Sequence, residues 1–166
     1  MKRKQKFIPY RRKREGKTDY RQRLELLKSR TLRLVVRRSL RHITAQLVEY
    51  HETGDKTLIT AHSKELKKHG WDGYTRNTPA GYLVGYLCGI KAKQKKIDAA
   101  VLDMGLYSSR KGTVLFSVLK GCVDAGLNVP HDTAIFPDEG RVQGKHITDD
   151  MPKKVELVKS NIQKVK

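Results

Sequence analysis

The sequence predicts an α/β fold: a mixed sheet, made of a three-strand antiparallel meander and one parallel strand, with two packed helices and a basic N-terminal extension. Apolar and polar side chains alternate through residues 30–50, and residues 56–62 supply a third strand-like stretch. A period of two is typical of strands with one buried face. An apolar run at 97–102 follows a helical stretch, which is the pattern of a parallel strand reached by a right-handed crossover.

Two strands of a hairpin account for the alternating stretch. The apolar positions are Leu32, Leu34 and Val36 in the first strand and Ile43, Ala45 and Leu47 in the second. The hairpin and its turn also carry five basic side chains: Arg33, Arg37, Arg38, Arg41 and His42. The solvent-exposed face of a strand needs polar side chains, but it does not need this many positive charges. The hairpin is therefore predicted to be a working surface as well as a structural element.

The charge of the chain points to a polyanionic partner. The 166 residues include 36 Lys and Arg against 17 Asp and Glu, a formal net charge of +19. A free protein this basic repels itself. The excess is concentrated at the N-terminus, since residues 1–44 hold 17 basic and three acidic side chains. The remaining three quarters have the balance of an ordinary globular domain.

Other bulk features indicate a cytoplasmic protein without a membrane partner. No apolar run approaches the ~20 residues of a membrane helix, and the basic N-terminus does not have the pattern of a signal peptide. Cys88 and Cys122 lie far apart in the sequence and have no metal-ligand spacing. We therefore expect two reduced core thiols, with neither a disulfide nor a zinc site.

The basic tail at residues 2–14 is predicted to contact nucleic acid. It holds eight basic residues, interleaved with Phe7 and Tyr10, and shows no periodicity. Such a segment buries too little surface to order alone. Aromatic side chains in a basic tail can stack on unpaired bases while the charges hold phosphates. A solvated tail or a localisation signal is the alternative interpretation.

A short helix is predicted over residues 19–28, between the tail and the hairpin. Thr18 is expected to cap it, and Asp19 lies favourably in its first turn. Tyr20, Leu24 and Leu27 form an apolar stripe that we expect to dock on the domain. The chain then divides into a basic tail with this helix at 1–29, a globular α/β domain at 30–148, and a segment at 149–166 that is either a tail or a short helix.

The two packed helices have distinct signals. Thr78 and Pro79 are expected to start the first, and glycines recur every four residues along it at Gly81, Gly85 and Gly89. This strip suits close packing on a sheet or on another helix. The second helix is predicted over 113–125, with Gly126 as its C-terminal cap. Its inward positions are Leu115, Val118, Leu119 and Cys122, and the short helix considered near the C-terminus would bury Val155, Leu157, Val158 and Ile162.

Common catalytic motifs are absent from the sequence, which has no phosphate-binding loop, nucleophile elbow or zinc-protease helix. The strand order resembles that of ribonuclease-H-like nucleases, so a metal-dependent nuclease is the alternative function. Such a site needs several carboxylates that converge on two metal ions. Asp103 is the best single candidate, although a loop or helix-capping role is the simpler interpretation, and the first strand offers only arginines and aliphatic residues.

Nucleic-acid binding has positive support from several segments. The hairpin arginines supply forked donors for phosphates. Ser108, Ser109, Arg110 and Lys111 lie in a loop before a helix, and the pair Arg76 and Asn77 precedes the other helix, so both places are predicted phosphate sites. RNA is favoured over duplex DNA because no helix is basic enough to enter a groove.

The sequence also resembles a known family along most of its length. The matching stretches include Lys17-Thr-Asp-Tyr-Arg-Gln-Arg-Leu24, Arg33-Leu-Val-Val-Arg-Arg-Ser39 and His42-Ile-Thr-Ala-Gln-Leu-Val48. They continue through residues 60–63, 81–85, 100–103, 105–106, 124–127, 130–131 and 144–147. On these stretches the chain resembles the universal large-subunit ribosomal protein eighteen family, in its archaeal form. One departure is Leu40, where relatives tend to have Asn after the turn serine.

The resemblance implies binding of 5S rRNA and its attachment to large-subunit rRNA in the central protuberance, next to neighbouring large-subunit ribosomal proteins. It implies no catalysis, cofactor or small-molecule substrate. It also implies RNA contacts on the matching residues of the tail, the hairpin and the loop at 108–111. Together, the residues predicted to contact RNA are Lys4, Lys6, Phe7, Tyr10, Arg11, Arg12, Lys13, Arg14, Tyr20, Arg21, Arg23, Arg33, Arg37, Arg38, Arg41, His42, Arg76, Asn77, Ser108, Ser109, Arg110 and Lys111.

Overall fold

The computed structural model describes residues 8–164, and its centre is a four-stranded sheet. The strands are β1 (Arg33–Arg38), β2 (Ile43–Glu49), β3 (Lys56–His62) and β4 (Val101–Asp103), in the spatial order β3-β2-β1-β4. β1 pairs with β2 and β2 with β3 in antiparallel fashion, whereas β4 lies parallel to β1. The predicted mixed sheet is thus confirmed.

Six helices accompany the sheet in the described part of the chain. They are α1 (Arg11–Arg14), α2 (Tyr20–Lys28), α3 (Thr78–Gln94), α4 (Val114–Asp124), α5 (Glu139–Gln143) and α6 (Met151–Gln163), with two short 3-10 helices at Glu65–His69 and Thr133–Ile135. None of these helices has the length and apolarity to cross a bilayer. Because α3, α4 and α6 pack behind the sheet and α2 lies in front of it, the two faces of the sheet have different neighbours.

The rear face of the sheet carries the core. The predicted apolar positions of both hairpin strands beyond Leu32 are fully buried: Leu34, Val36, Ile43, Ala45 and Leu47. α3 packs against β2 and β3, and α4 packs against β1. The alternation in the sequence therefore predicted the buried face of each strand correctly. This test is strict, since a shift of one residue would have moved every side chain to the other face.

The glycine strip of α3 lies against α4, which decides between the two packing partners that the sequence allowed. A Cβ atom on Gly85 would stand 1.9 Å from the carbonyl oxygen of Val118, and one on Gly89 would stand 2.5 Å from the Cβ of Ala125. The two backbones approach too closely for any side chain to fit between them. The helix α3 is buried along most of its length, which compensates for the low helix propensity of glycine.

Three predicted helix details are wrong. Asn77, not Thr78, caps α3, because its Oδ1 accepts a hydrogen bond from the backbone N–H of Ala80 at 2.9 Å. Asp19, not Thr18, caps α2 through bonds from two backbone N–H groups of the first turn. Leu24 does not dock on the domain, since 56% of its surface is exposed. In both helices the capping residue is the immediate neighbour of the predicted one, because its side chain reaches the free N–H groups of the first turn.

The parallel strand is shorter and more exposed than expected. The apolar run at 97–102 predicts a strand buried on both faces, but β4 contains only three residues, and Val101 and Leu102 are half-buried. β4 lies at the edge of the sheet and pairs only with β1. An edge strand has a neighbour on one side only, so its residues keep contact with solvent.

Both ends of the described chain are more ordered than the simplest expectation. Residues Arg11–Arg14 form one helical turn where the sequence predicts no regular structure. Of the two possibilities for the C-terminal segment, the helix is correct. α6 buries Met151, Val155, Val158 and Ile162 against the domain, whereas Leu157 is exposed. Helix α4 begins and ends within one residue of its prediction, and Gly126 follows it with a left-handed φ of +101°.

Candidate nucleic-acid interface

The front face of the sheet carries a chain of alternating charges. Arg33 donates to Asp103 at 2.9 Å and to Asp55 at 2.6 Å. Asp55 also accepts from Arg23 of α2, and Asp103 also accepts from Arg37, both at 2.9 Å. These five residues form the arginine–aspartate chain. It runs from the N-terminal helix across the sheet to the end of β1.

The arginines hold both carboxylates in their charged form. Burial raises the pKa of Asp103, but hydrogen bonds from Arg37 and Arg33 outweigh it, so the pKa lies below its ordinary value. Burial likewise acts against Asp55, and its bonds from Arg33 and Arg23 leave its pKa lowered. Opposite charges at hydrogen-bond distance favour ionisation. The front face is therefore less cationic than the count of its arginines suggests.

Asp103 has a structural role that the sequence did not reveal. It is the last residue of β4 rather than a loop or helix-capping residue, and its side chain is only 8% exposed. Both carboxylate oxygens are occupied by arginines, and Oδ1 also accepts from the N–H of Gly105. Within residues 8–164, no group of three or more His, Cys, Asp or Glu side chains lies close enough together to hold a metal ion. The nuclease hypothesis thus lacks its carboxylate cluster in the described residues.

Three of the predicted RNA contacts, Arg23, Arg33 and Arg37, belong to the arginine–aspartate chain. Arg33 is 3% exposed and is held by two aspartates, so its guanidinium is not presented to a phosphate. An RNA contact at Arg33 stays a prediction, and this burial argues against it. Arg37 remains 43% exposed, although it donates to the Asp103 carboxylate and to two backbone carbonyls. The sequence could not separate Arg33 from Arg37, because both lie on the polar face of the same strand.

The hairpin turn projects from the end of β1 and β2. The N–H of Ser39 donates to the carbonyl of His42 at 2.8 Å, and the Ser39 hydroxyl accepts from the N–H of His42. Leu40 is 84% exposed at the tip. Among the described residues, only Arg30 and Lys96 are non-glycine residues with positive φ. This turn therefore does not need the left-handed conformation that Asn would favour, and Leu40 fits without strain.

Two loops brace the turn from either side. Thr75 donates its hydroxyl to the carbonyl of Arg41 at 2.6 Å, and Arg76 reaches the carbonyl of Leu40 at 3.4 Å. On the other side, the Tyr107 hydroxyl donates to the carbonyl of Arg38 at 2.6 Å, and the Arg38 guanidinium lies over the Tyr107 ring. These contacts hold one surface together, and we call it the turn surface. It comprises residues 38–42, 74–76 and 107–111.

The turn surface presents unpaired cations to solvent. Arg38, Arg41, Arg110 and Lys111 are exposed and Arg76 is half-buried. None of the five forms a salt bridge with a carboxylate of the described residues. The structure thus brings three predicted segments together around the turn: the hairpin, the residues before α3 and the loop after β4. Forked guanidinium groups in such an arrangement suit phosphate and base-edge contacts.

Two other predicted contacts of this region, Asn77 and His42, have side chains that already form hydrogen bonds within the protein. Asn77 uses its side-chain oxygen to cap α3. The Nδ1 atom of His42 lies 3.1 Å from the Ser63 hydroxyl, and its ring lies 4.8 Å from the ring of His62. Burial and the neighbouring His42 lower the pKa of His62. Ser108 and Ser109 are exposed beside Arg110.

The N-terminal segment, residues 8–28, forms the second part of the candidate interface. Lys13, Arg14 and Arg21 are exposed, whereas Arg23 is tied to Asp55. Arg12 donates to the Thr18 hydroxyl at 2.8 Å. Arg11 pairs with Glu15, and the rings of Tyr10 and Tyr20 lie 5.3 Å apart. Lys4, Lys6 and Phe7 lie outside the described residues.

Sequence reasoning missed Asp55, Thr75 and Tyr107, all of which organise the interface. Nothing in the sequence indicated that Asp55 forms ion pairs, because an acidic residue in a polar loop before a strand is usually solvated. Tyr107 had a weak signal, since it is an aromatic residue placed between two glycines in a loop rich in serine and basic residues. An aromatic ring in such a loop often packs under a cation.

An α/β domain whose exposed turn, loops and N-terminal segment carry unpaired arginines and lysines is typical of a nucleic-acid-binding protein. Comparison with known proteins narrows this class. A family model described as "Ribosomal large subunit proteins 60S L5, and 50S L18" matches residues 2–99 and 90–132. The chain belongs to this family of large-subunit ribosomal proteins.

Curated relatives agree with the family match. The large ribosomal subunit protein uL18 of Methanothermobacter thermautotrophicus is 51% identical over 142 residues, which cover 86% of this chain and 74% of the relative. The protein of the same name from Methanococcus maripaludis is 53% identical over 140 residues, covering 84% and 72%. The predicted family and its archaeal form are confirmed. The chain is a structural constituent of the large ribosomal subunit, with ribosomal RNA and ribosomal proteins as partners, and it is not an enzyme.

Proposed function

We propose that the protein binds 5S rRNA and helps attach it to the large-subunit rRNA in the central protuberance. The observation that carries this proposal is the turn surface, where unpaired cations from three separate segments are held in one place by hydrogen bonds to the turn. Membership of the large-subunit family makes RNA the polyanion, and the resemblance stated above makes 5S rRNA the specific candidate.

The two parts of the interface have different roles in this proposal. The N-terminal segment contributes lysines and arginines that hold phosphates largely without regard to sequence. The turn surface is fixed in shape by its backbone contacts, so it recognises a particular arrangement of irregular RNA. The arginine–aspartate chain connects the two parts through Arg23 on α2 and Arg37 at the end of β1.

Salt dependence tests the electrostatic part of the proposal. If eight or so phosphates are engaged, affinity for 5S rRNA falls ~10³–10⁵-fold between 50 and 200 mM salt, on the scale known for duplex DNA. Removal of residues 1–14 weakens binding to all RNAs and reduces the salt slope. Binding that does not respond to salt would contradict the proposal.

A paired substitution tests the specific part. Arg38→Ala with Arg41→Ala removes two exposed cations of the turn surface, and we expect the preference for 5S rRNA over an unrelated structured RNA to fall at least tenfold. The matched control is Lys67→Ala with Lys68→Ala, which removes two exposed cations from the 3-10 helix at Glu65–His69. Equal losses from the two pairs would mean that only net charge matters, and would remove the turn surface from the proposal.

A further inference from the structure

A cavity of about 580 Å³ lies between the N-terminal segment and the front face of the sheet. The N-terminal segment contributes Tyr20, Gln22 and Leu26, and the sheet contributes Val35, Gln46 and Val48. Its volume falls within the ~300–1,000 Å³ that ligand-binding clefts usually have. Neither the family match nor the sequence pattern indicates this cavity, because its two walls are formed by separate segments.

The chemistry of the walls suits a planar group with polar edges. Leu26, Val35 and Val48 provide apolar surface, and Tyr20 adds a half-buried ring. The amide of Gln46 donates to Thr60 at 3.2 Å, and its oxygen accepts no hydrogen bond from the described residues. Apolar side chains beside an amide, in a lining that is otherwise mostly polar, can contact an unstacked nucleic-acid base.

The charged residues around the cavity suit a phosphate. Arg12, Lys17 and Arg37 line it and are all exposed, and of these Lys17 also pairs with Glu15 at 2.8 Å and Arg37 with Asp103 at 2.9 Å. Three carboxylates also line it: the arginine–aspartate chain occupies Asp55 and Asp103, and Asp19 accepts from the backbone N–H groups of Arg21 and Gln22. Arg33 lines the cavity as well, and its buried Nε–H has no hydrogen-bond partner among the described residues. The Arg33 guanidinium is buried and held by two aspartates, so the site offers only its exposed cations to an anion.

The wall formed by α2 can adjust to a ligand. α2 has no fully buried residue, although Leu26 and Leu27 are half-buried, and the pair between Arg23 and Asp55 links it to the domain. A helix held mainly by a partly exposed ion pair moves at small free-energy cost. A nucleotide that enters along the sheet can thus be covered by α2 without disturbing the core behind the sheet.

We propose that this cavity takes one unpaired nucleotide of the bound RNA, with its base between Leu26 and the valines of the sheet and its phosphate near Arg12 and Lys17. This inference rests on the proposed function and deepens it, since it assigns one nucleotide of the RNA to a particular place. It also explains why the front face keeps apolar residues at Val35 and Val48 on an otherwise polar surface.

Two leucines of α2 provide a matched test. Leu26→Trp fills the cavity, whereas Leu24→Trp places the same side chain on the exposed side of the same helix. We expect Leu26→Trp to weaken 5S rRNA binding about tenfold or more, on the scale of one lost base contact, and Leu24→Trp to change it less than twofold. The salt slope stays the same in Leu24→Trp and falls by about one phosphate contact in Leu26→Trp, because the phosphate contacts outside the cavity remain.

A second variant guards against a tryptophan that stacks on the base instead of excluding it. Gln46→Ala removes the amide at the edge of the cavity and adds nothing. Base-specific chemical probing of the 5S rRNA complex should show one unpaired nucleotide that the wild-type protein protects and that becomes reactive with Gln46→Ala. Circular dichroism and thermal unfolding establish that both variants are folded.

Small probes distinguish a nucleotide site from a plain anion site. Nucleoside 5′-monophosphates titrated into the full chain should shift the NMR signals of Leu26, Val35 and Val48, and inorganic phosphate at the same concentration should not. Equal shifts from phosphate alone would overturn the base-binding inference. Wild-type protein that shows no preference for 5S rRNA would overturn the proposed function. Wild-type binding that Leu26→Trp and Gln46→Ala leave unchanged would overturn the cavity inference alone.

Discussion

The two faces of the sheet are held by different forces. Behind the sheet, α3 and α4 approach so closely that glycine is required at their contact, and the strands present only apolar side chains to them. In front of it, α2 contributes no buried residue and is linked through ion pairs of Arg23 and Arg33 with Asp55. One face is dry and close-packed, and the other is polar and partly open.

This difference shows how a small ribosomal protein can combine a rigid body with an adaptable surface. Close packing behind the sheet depends on shape and is nearly independent of salt and pH. Ion pairs in front of it respond to both. In the proposed function RNA brings many phosphates to the front face, so the weaker contacts lie where rearrangement on binding is useful. Substitutions on each face, and acid, distinguish the two kinds of contact.

Substitution of Gly85 by Ala should be the most damaging change behind the sheet. The new Cβ would meet the backbone carbonyl of Val118 at 1.9 Å, and a backbone group cannot rotate away. We expect a loss of ~3 kcal/mol or more in the free energy of unfolding, at the upper end for overpacking. Urea denaturation measures it. Gly140→Ala is the control, because its Cβ meets nothing nearer than 3.9 Å and the helix gains a better former. Similar losses at both positions would contradict the close-packing argument.

Removal of the Asp103 carboxylate should be the most damaging change in front of the sheet. Asp103→Ala leaves the buried Arg33 with only Asp55 as its partner, and we expect a loss of ~2–3 kcal/mol, because a buried charge is left partly uncompensated. The same urea experiment measures it. Asp98→Ala, at an exposed position shortly before β4, should change stability by less than ~0.5 kcal/mol. A mild effect of Asp103→Ala would mean that water replaces the carboxylate at little cost.

Acid should remove the stabilisation that the ion pairs of the front face contribute. The folded-state pKa of Asp103 lies below its unfolded value, so its ion pairs stabilise the fold above that unfolded pKa, ~3.9. The stabilisation is lost as the pH falls through the folded pKa. Urea midpoints measured between pH 2 and 6 should therefore fall towards acid in the wild type and fall less in Asp103→Asn. Parallel pH profiles would show that other carboxylates control acid unfolding.

The pair between Arg23 and Asp55 should matter locally and hardly at all globally. Both side chains are partly exposed, at 33% and 26%, so Arg23→Ala should cost no more than ~1 kcal/mol in global stability. The amides of α2 should nevertheless exchange with solvent faster, while those of α3 keep their protection. Hydrogen exchange followed by NMR separates the two. Unchanged exchange in α2 would show that another contact holds this helix in place.

The sequence was sufficient for most of the fold because its signals are local. The alternation through Leu34, Val36, Ile43 and Ala45 fixed both hairpin strands and their buried face, and the limits of β3 were predicted to the residue. The helix caps were less certain, since neighbouring residues such as Thr78 and Asn77 have nearly the same capping ability and the exact backbone path selects one of them.

The site was only partly predictable. The sequence identified a cationic hairpin and two further basic segments, and the fold brings all three together around the turn. It treated Arg33 and Arg38 alike, although Arg33 is buried in the arginine–aspartate chain and Arg38 lies exposed over Tyr107. It also took Asp103 for a loop or cap residue. These assignments depend on partners that are about 70 residues away in the sequence.

By itself, therefore, the sequence determined which residues form strands and helices, which face of each strand is buried, and that the protein has a polyanionic partner. Hydrophobic periodicity and net charge act through neighbouring residues or through the sum of all residues, so both can be obtained from the sequence alone. Which arginines remain free for RNA depends instead on the tertiary contacts of each guanidinium. An arginine is neutralised by whichever carboxylate the fold places within hydrogen-bond distance, and Asp55 and Asp103 reach Arg33 only because β4 and the β2–β3 loop meet at the front face of the sheet.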